Sequence, residues 1–491
     1  MITFLLSLVA LFLGYLFYGK FVERVFGPDD RVTPAVSKAD GMDFIVLPGW
    51  KIFMIQFLNI AGTGPIFGAI MGAKFGPVSY LWIVFGCIFA GAVHDYLSGM
   101  LSMRHGGVGL PELAGQYLGR GVKGIVLVFT VILLLMVGTV FVYSPAEILG
   151  TIGGDKMMWV ALIFIYYIIA TMLPIDKIIG KIYPVFAFSL IFMAVALLVV
   201  LFSKWPDIPE IWEYPYNMGL ALHPDKWSFH IFPGLFITIA CGAISGFHAT
   251  QSPLMARCVK SEHMGRPIFY GAMITEGVVA LIWASVSSWF FYNPEPGYTT
   301  IADAVNGFQT SPAAVVNLVC NDWLGVLGAI LAMLGVVAAP ITSGDTAFRS
   351  ARLIVAERLR LDQRPIPKRF YICVPLFAAS VGMLYWQIEN PDGFDTIWRY
   401  FGWSNQTLSV FTLWTATVYL VREHKCFWIT LIPALFMTCV CTTFLFISKQ
   451  TLGLNGTLSY TLGVLCTLLT AVWFVLWYHR VNRNEKGETS E

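Results

Sequence analysis

Charge is what this sequence has least of. Its 31 lysines and arginines and 29 aspartates and glutamates make up 12% of 491 residues, where soluble chains carry about a quarter. Beside 57% apolar residues, that scarcity excludes a water-facing surface over most of the chain and points to an integral membrane protein. No phosphate-binding loop or nucleotide domain is present, which argues against ATP-driven pumping. No basic stretch interleaved with aromatics suggests nucleic acid, and no motif calls for a cofactor. The nine cysteines are scattered; the one close pair, Cys439 and Cys441, lacks the spacing of a metal or redox motif, so packing roles are expected and no disulfide framework. Residues 2 to 19 lack a basic leader and a small-residue cleavage site, so they are expected to stay as a helix.

What is there is apolar sequence in stretches of about 20 residues, each long enough to cross a bilayer. Thirteen spans are expected, near residues 2 to 19, 50 to 72, 78 to 102, 124 to 148, 157 to 173, 183 to 203, 232 to 256, 268 to 292, 323 to 348, 370 to 388, 397 to 420, 427 to 447 and 457 to 478. The loop 349 to 369 carries seven lysines and arginines and the loop 293 to 322 carries none. Cytoplasmic loops hold the basic excess. Alternation then puts Arg104, Arg120, Lys177, Lys181, Arg257, Arg266, Arg422, Lys425 and the basic C-terminal tail inside, and the N-terminus outside; Lys204 and Lys226, with acidic neighbours, are the main exceptions. Trp82, Trp205, Trp212, Trp477 and Tyr478, near span ends, are expected as interface anchors.

Two of these spans are interrupted. "NIAGTGPIFGAIMG" (59 to 72) and "CGAISGFHATQSPLMAR" (241 to 257) place glycines, hydroxyl residues and a proline where a membrane helix would run unbroken, with Pro65 and Pro253 188 residues apart. The topology sends the first outward and the second inward, the pattern of an inverted repeat. The expected fold is all-α and polytopic: repeats of five helices over 50 to 203 and 232 to 420, residues 1 to 49 ahead of them as an extra helix and cytoplasmic loop, and two helices with a tail over 427 to 491. Irregular backbone survives in hydrocarbon only when buried in protein or lining a wet cavity. Residues 61 to 65 and 245 to 252 are therefore expected to be non-helical and to face each other, with Ser252 capping a new helix at Pro253. Helix starts offer N–H groups to a carboxylate and helix ends offer carbonyls to a cation. Gly62, Thr63, Gly64, Ser245, Gly246, His248, Thr250, Gln251 and Ser252 are the candidate substrate-binding residues.

The segments "TPAV…DGMDF", "AGTGPIFG", "AGAVHDYLSG", "SGFHATQSPL" and "TSGDTAFRSARL" resemble the carbon starvation protein A family over most of residues 33 to 420. The resemblance implies a bacterial inner-membrane transporter induced by carbon limitation, importing peptides or pyruvate by proton symport. It also implies a distant link to the amino acid, polyamine and organocation transporters and their five-plus-five repeat. The chain is shorter than the larger members.

Ionisable residues at membrane depth are costly and mark ion or substrate paths. His94 and Asp95 in "AGAVHDYLSG", and Glu276 in "GAMITEGVVALIWA", are the candidate proton-coupling groups, each with a structural alternative as a satisfied pair. Thr342, Ser343 and Thr346 in "APITSGDTAFRSAR" form a candidate sodium site, because in sodium-coupled relatives of the fold hydroxyls of this helix join carbonyls of the first break. Asp345 and Arg349, at i, i+4, are expected as a salt bridge. The expected partners are thus a small carboxylate or peptide, a proton or sodium ion, and the lipid bilayer. A sodium-coupled amino acid or peptide carrier, a channel and an intramembrane enzyme remain as alternatives.

Overall fold

The computed structural model describes residues 1–41, 43–173, 175–221, 229–292, 310–363, 365–390 and 393–488, all helix, turn or loop with no strand among them. Most of the expected outer loop 293 to 322 lies outside the described residues. Among those described, nine helices are long and apolar enough to cross a membrane, or ten if one bent pair counts as a single span. The nine include Ile2–Phe26, Val78–Arg104, Arg120–Ile152 and Glu262–Tyr292. Lys156–Met172 is apolar but short, at 17 residues. Gly393–Arg422 is a 30-residue helix diluted by polar residues such as Ser404, Asn405 and Gln406, all buried.

The bent pair is the first interrupted span. Gly49–Ala61 and Gly64–Ala73 meet at 46°. Gly62 turns the chain at φ 34°, ψ −149°, a region open to glycine alone. Thr63 precedes the second helix, and Pro65 sits in its first turn, where a missing N–H costs nothing.

The second interruption is longer and lies earlier than expected. Helical turns over 231 to 238 give way to irregular backbone over 239 to 247, and helix resumes at His248–Ala256. His248, Thr250, Gln251 and Ser252 are thus helical, and Pro253 is inside the helix rather than at its start. Asn405 explains the shift. Its Oδ1 accepts from Phe247 N at 2.6 Å and its carbonyl accepts from Gly246 N at 3.1 Å. An outside partner thus satisfies the incoming N–H groups, and the helix nucleates before Pro253. Ser252 is not a cap; its hydroxyl donates to His248 O at 3.0 Å.

The two breaks abut. A Cβ on Gly64 would lie 2.3 Å from Cys241 Cβ, and one on Gly242 would lie 3.8 Å from Pro65 Cα. Around them pack the two longest central helices, Arg120–Ile152 and Pro312–Leu359, with Gly138 taking the Phe348 ring. One end of the molecule gathers basic groups. Arg104 donates to Glu262 at 2.9 Å, to Tyr419 at 2.8 Å and to Gly27 O at 2.7 Å, and Lys425 donates to Phe26 O. At the periphery, Gly456–Glu488 leaves Leu468, Leu469, Val472, Trp473 and Leu476 exposed.

Candidate functional site

The Val78–Arg104 helix carries a wide-turned π-helical stretch, Trp82–Gly91, directly before His94 and Asp95; such turns recur at functional sites. Gly91 presses on the second break, where an added Cβ would meet Ala243 O at 2.1 Å. This approach brings Asp95 to the break. Its Oδ1 contacts His94 Nδ1 at 2.8 Å and its Oδ2 contacts His248 Nδ1 at 2.8 Å. His248 Nε2 then points to Glu276 at 3.5 Å, too loosely aligned for a hydrogen bond. All four side chains have 0% exposure. The three expected coupling residues and His248, expected as a substrate contact, therefore form one buried chain, His94–Asp95–His248–Glu276. Two carboxylates and two imidazoles so linked titrate as a unit, and a proton can sit at several points along it.

A cavity of about 80 Å³ opens against the breaks, lined by Gly64, Ala240, Cys241, Lys74, Trp398, Arg399 and Phe401 among others. Gly64 is the one candidate substrate residue on its wall. Buried polar atoms without a hydrogen-bond partner among the described residues include both amide atoms of Asn59, Gln56 Oε1 and Thr63 Oγ1 beside the first break, and Gln251 Oε1 and both Glu276 oxygens.

The remaining candidates have protein partners. Ser245 Oγ donates to Asn405 Oδ1 at 3.1 Å. Gly246 lies so close to the Gly393–Arg422 helix that a Cβ would be 2.3 Å from Asn405 O. Gln251 Nε2 donates to Thr250 Oγ1 at 2.8 Å and Ser350 Oγ at 3.4 Å, and Ser252 accepts from Gln56 at 3.4 Å. Of the hydroxyl cluster, Ser343 reaches the first break, donating to Leu58 O at 2.8 Å. Thr342 and Thr346 donate to carbonyls of their own helix, the usual resting place of a helical hydroxyl.

Two further expectations are overturned. Asp345 and Arg349 make no ion pair with each other: Asp345 accepts from Tyr183 and, at 2.8 Å, from Tyr166. Arg349 donates to Ala170 O and Leu173 O at 2.8 and 2.7 Å, holding the carbonyl end of a neighbouring helix and drawing its guanidinium away. Trp82 is no interface anchor. It is 7% exposed and donates to Ile239 O at 3.0 Å, supplying the second break with a donor it lacks. Trp205 and Trp212 are exposed.

Sequence reasoning missed Asn405, Gln56, Asn59 and Cys241. The first three announce themselves as amides inside apolar spans, the same signal that found Asp95. Cys241 was read as packing; its thiol lies within 4.8 Å of donor atoms of His248 and Glu276, a set one short of the four ligands of a closed zinc site.

Solved structures with the same fold include MhsT in complex with L-phenylalanine (12% identity, TM-score 0.53, 86% of this chain and 99% of that one). A manganese transporter from Eremococcus coleocola is another (12% identity, TM-score 0.57, 90% and 99%). An uncharacterized membrane protein of Haemophilus influenzae is 47% identical over 60% of this chain and 92% of its own length. The peptide transporter CstA of Campylobacter jejuni is 26% identical over 87% and 77%, and the pyruvate/proton symporter BtsT of Escherichia coli is 23% identical over 88% and 79%. The family model for carbon starvation protein CstA matches residues 1–149, 142–321 and 293–444. This chain therefore belongs to the carbon starvation protein CstA family.

Proposed function

We propose that the chain is a secondary transporter that imports a small carboxylate together with protons, using His94, Asp95, His248 and Glu276 as the coupling chain. The observation that carries this reading is the buried chain itself. Charged groups at membrane depth persist when paired or when they serve a path, and here the partners are themselves titratable. The chain passes through His248, the first residue of the helix after the second break, and Cys241 in that break also lines the cavity, so a substrate entering there meets the same backbone that holds His248.

The cavity's size suggests the substrate class. At about 80 Å³ it is smaller than the roughly 150 Å³ that holds benzene, which favours an acid of a few heavy atoms over a peptide. The relative named as a pyruvate/proton symporter supports the same choice. The remainder of the reading is thirteen spans in a five-plus-five inverted repeat over 50 to 203 and 232 to 420, in a bacterial inner membrane, with the N-terminus outside and the basic face cytoplasmic. The abutting breaks and the fold shared with transporters support it. One observation favours sodium coupling as a second reading: Ser343 joins the carbonyl end of the first break at Leu58, where a cation would sit between hydroxyl and carbonyl oxygens.

Purified protein in vesicles, given labelled pyruvate and an acid-outside gradient without sodium, should accumulate the acid. Unlabelled pyruvate should compete, and pyruvamide or trialanine should not. Uptake driven by sodium alone at constant pH, or equal competition by the peptide, would overturn the assignment.

A further inference from the structure

Away from the breaks, a second cavity of about 480 Å³ runs between Gly393–Arg422, Trp428–Ile447 and Gly456–Glu488. Its wall is apolar and aromatic, with Phe411, Trp414, Trp473, Phe474 and Trp477. Three of the polar groups on it bond within the protein: Trp414 Nε1 donates to Thr438 at 3.2 Å, and Thr470 donates to Cys466 O and Thr467 O. One end is different. Arg422 lines it, exposed, with its guanidinium 5.6 Å over the Tyr117 ring and no ion pair among the described residues. Gly119 and Trp477 line the cavity too, and Arg120 and Arg480, both exposed, follow them by one and three residues. Glu423 is the neighbouring opposite charge; Glu112 is already held by Lys123.

Length and charge together identify the occupant. The wall extends from Arg422 back to Val410, about 18 Å at the helical rise, close to the thickness of one hydrocarbon leaflet, about 15 Å. A basic end at headgroup level and an apolar, aromatic body one leaflet long match a phospholipid, and the basic end selects an anionic headgroup. We propose that this groove is a binding site for an anionic phospholipid of the leaflet at the basic face. The aromatic wall holds the acyl chains and Arg422 the phosphate.

The test is native mass spectrometry of the whole protein released from vesicles of equal parts phosphatidylglycerol and phosphatidylethanolamine. Wild-type protein should fly as one chain with retained lipid enriched in phosphatidylglycerol. Arg422→Gln should reduce that enrichment about fivefold, and Arg422→Lys should keep most of it. Trp473→Ala, at a side chain 62% exposed, should lower retention of both lipids. Retained lipid that mirrors the vesicle composition and ignores Arg422→Gln would overturn the proposal. So would a particle of two chains that carries no lipid.

Discussion

Asp95 and Asp345 are equally hidden, at 0% and 1% exposure, and differ in what they are bonded to. Asp345 accepts from two tyrosine hydroxyls, of Tyr166 and Tyr183, which keep their protons at neutral pH and so pin a carboxylate without relaying anything. Asp95 touches two imidazoles, one of which faces a further carboxylate, and imidazoles exchange protons in the working range. Burial is common to both aspartates, and what separates them is that Asp95 alone has imidazole partners.

The contrast can be broken in order of effect. Replacing His248 by alanine cuts the chain between Asp95 and Glu276, and proton-driven uptake in vesicles should fall to that of protein-free controls. Gly246→Ala forces a methyl group against Asn405 O and Ser409 N, at 2.3 and 2.5 Å. Neither backbone can yield cheaply, so stability should drop by about 1–3 kcal/mol, read as a lower unfolding temperature in detergent with uptake reduced in step. Asp345→Asn keeps an acceptor for one tyrosine and disturbs the other; it should cost about 1–2 kcal/mol while the accumulation ratio per folded protein stays at the wild-type value. A lost gradient response there would erase the distinction between the two aspartates. Ser343→Ala should do least, changing uptake by less than about threefold with no new sodium dependence, since it removes one hydroxyl bond to Leu58 O worth about 1 kcal/mol.

Most of the long apolar helices and the place of the first break were legible because they rest on local properties: apolar runs, and a Gly-Thr-Gly-Pro sequence that turns at Gly62. His94, Asp95, Glu276 and His248 were legible one at a time, as ionisable residues in apolar sequence. Their union was not, because it depends on Gly91 meeting Ala243, a contact 152 positions apart in the chain. The second break was misplaced for a similar reason. Pro253 is a strong local signal, but Asn405, far along the sequence, supplies the hydrogen bonds that move the helix start to His248. The tyrosines that take Asp345 from Arg349 likewise come from other helices.

The central claim is that Asp95 carries the coupled proton, and Asp95→Asn in vesicles tests it most directly. The amide keeps the size and one acceptor of the carboxylate but cannot gain or lose the proton. With labelled pyruvate, exchange across equal concentrations should survive largely intact, whereas accumulation driven by an acid-outside gradient should vanish. An Asp95→Asn protein that still concentrates the acid against its gradient would contradict the account.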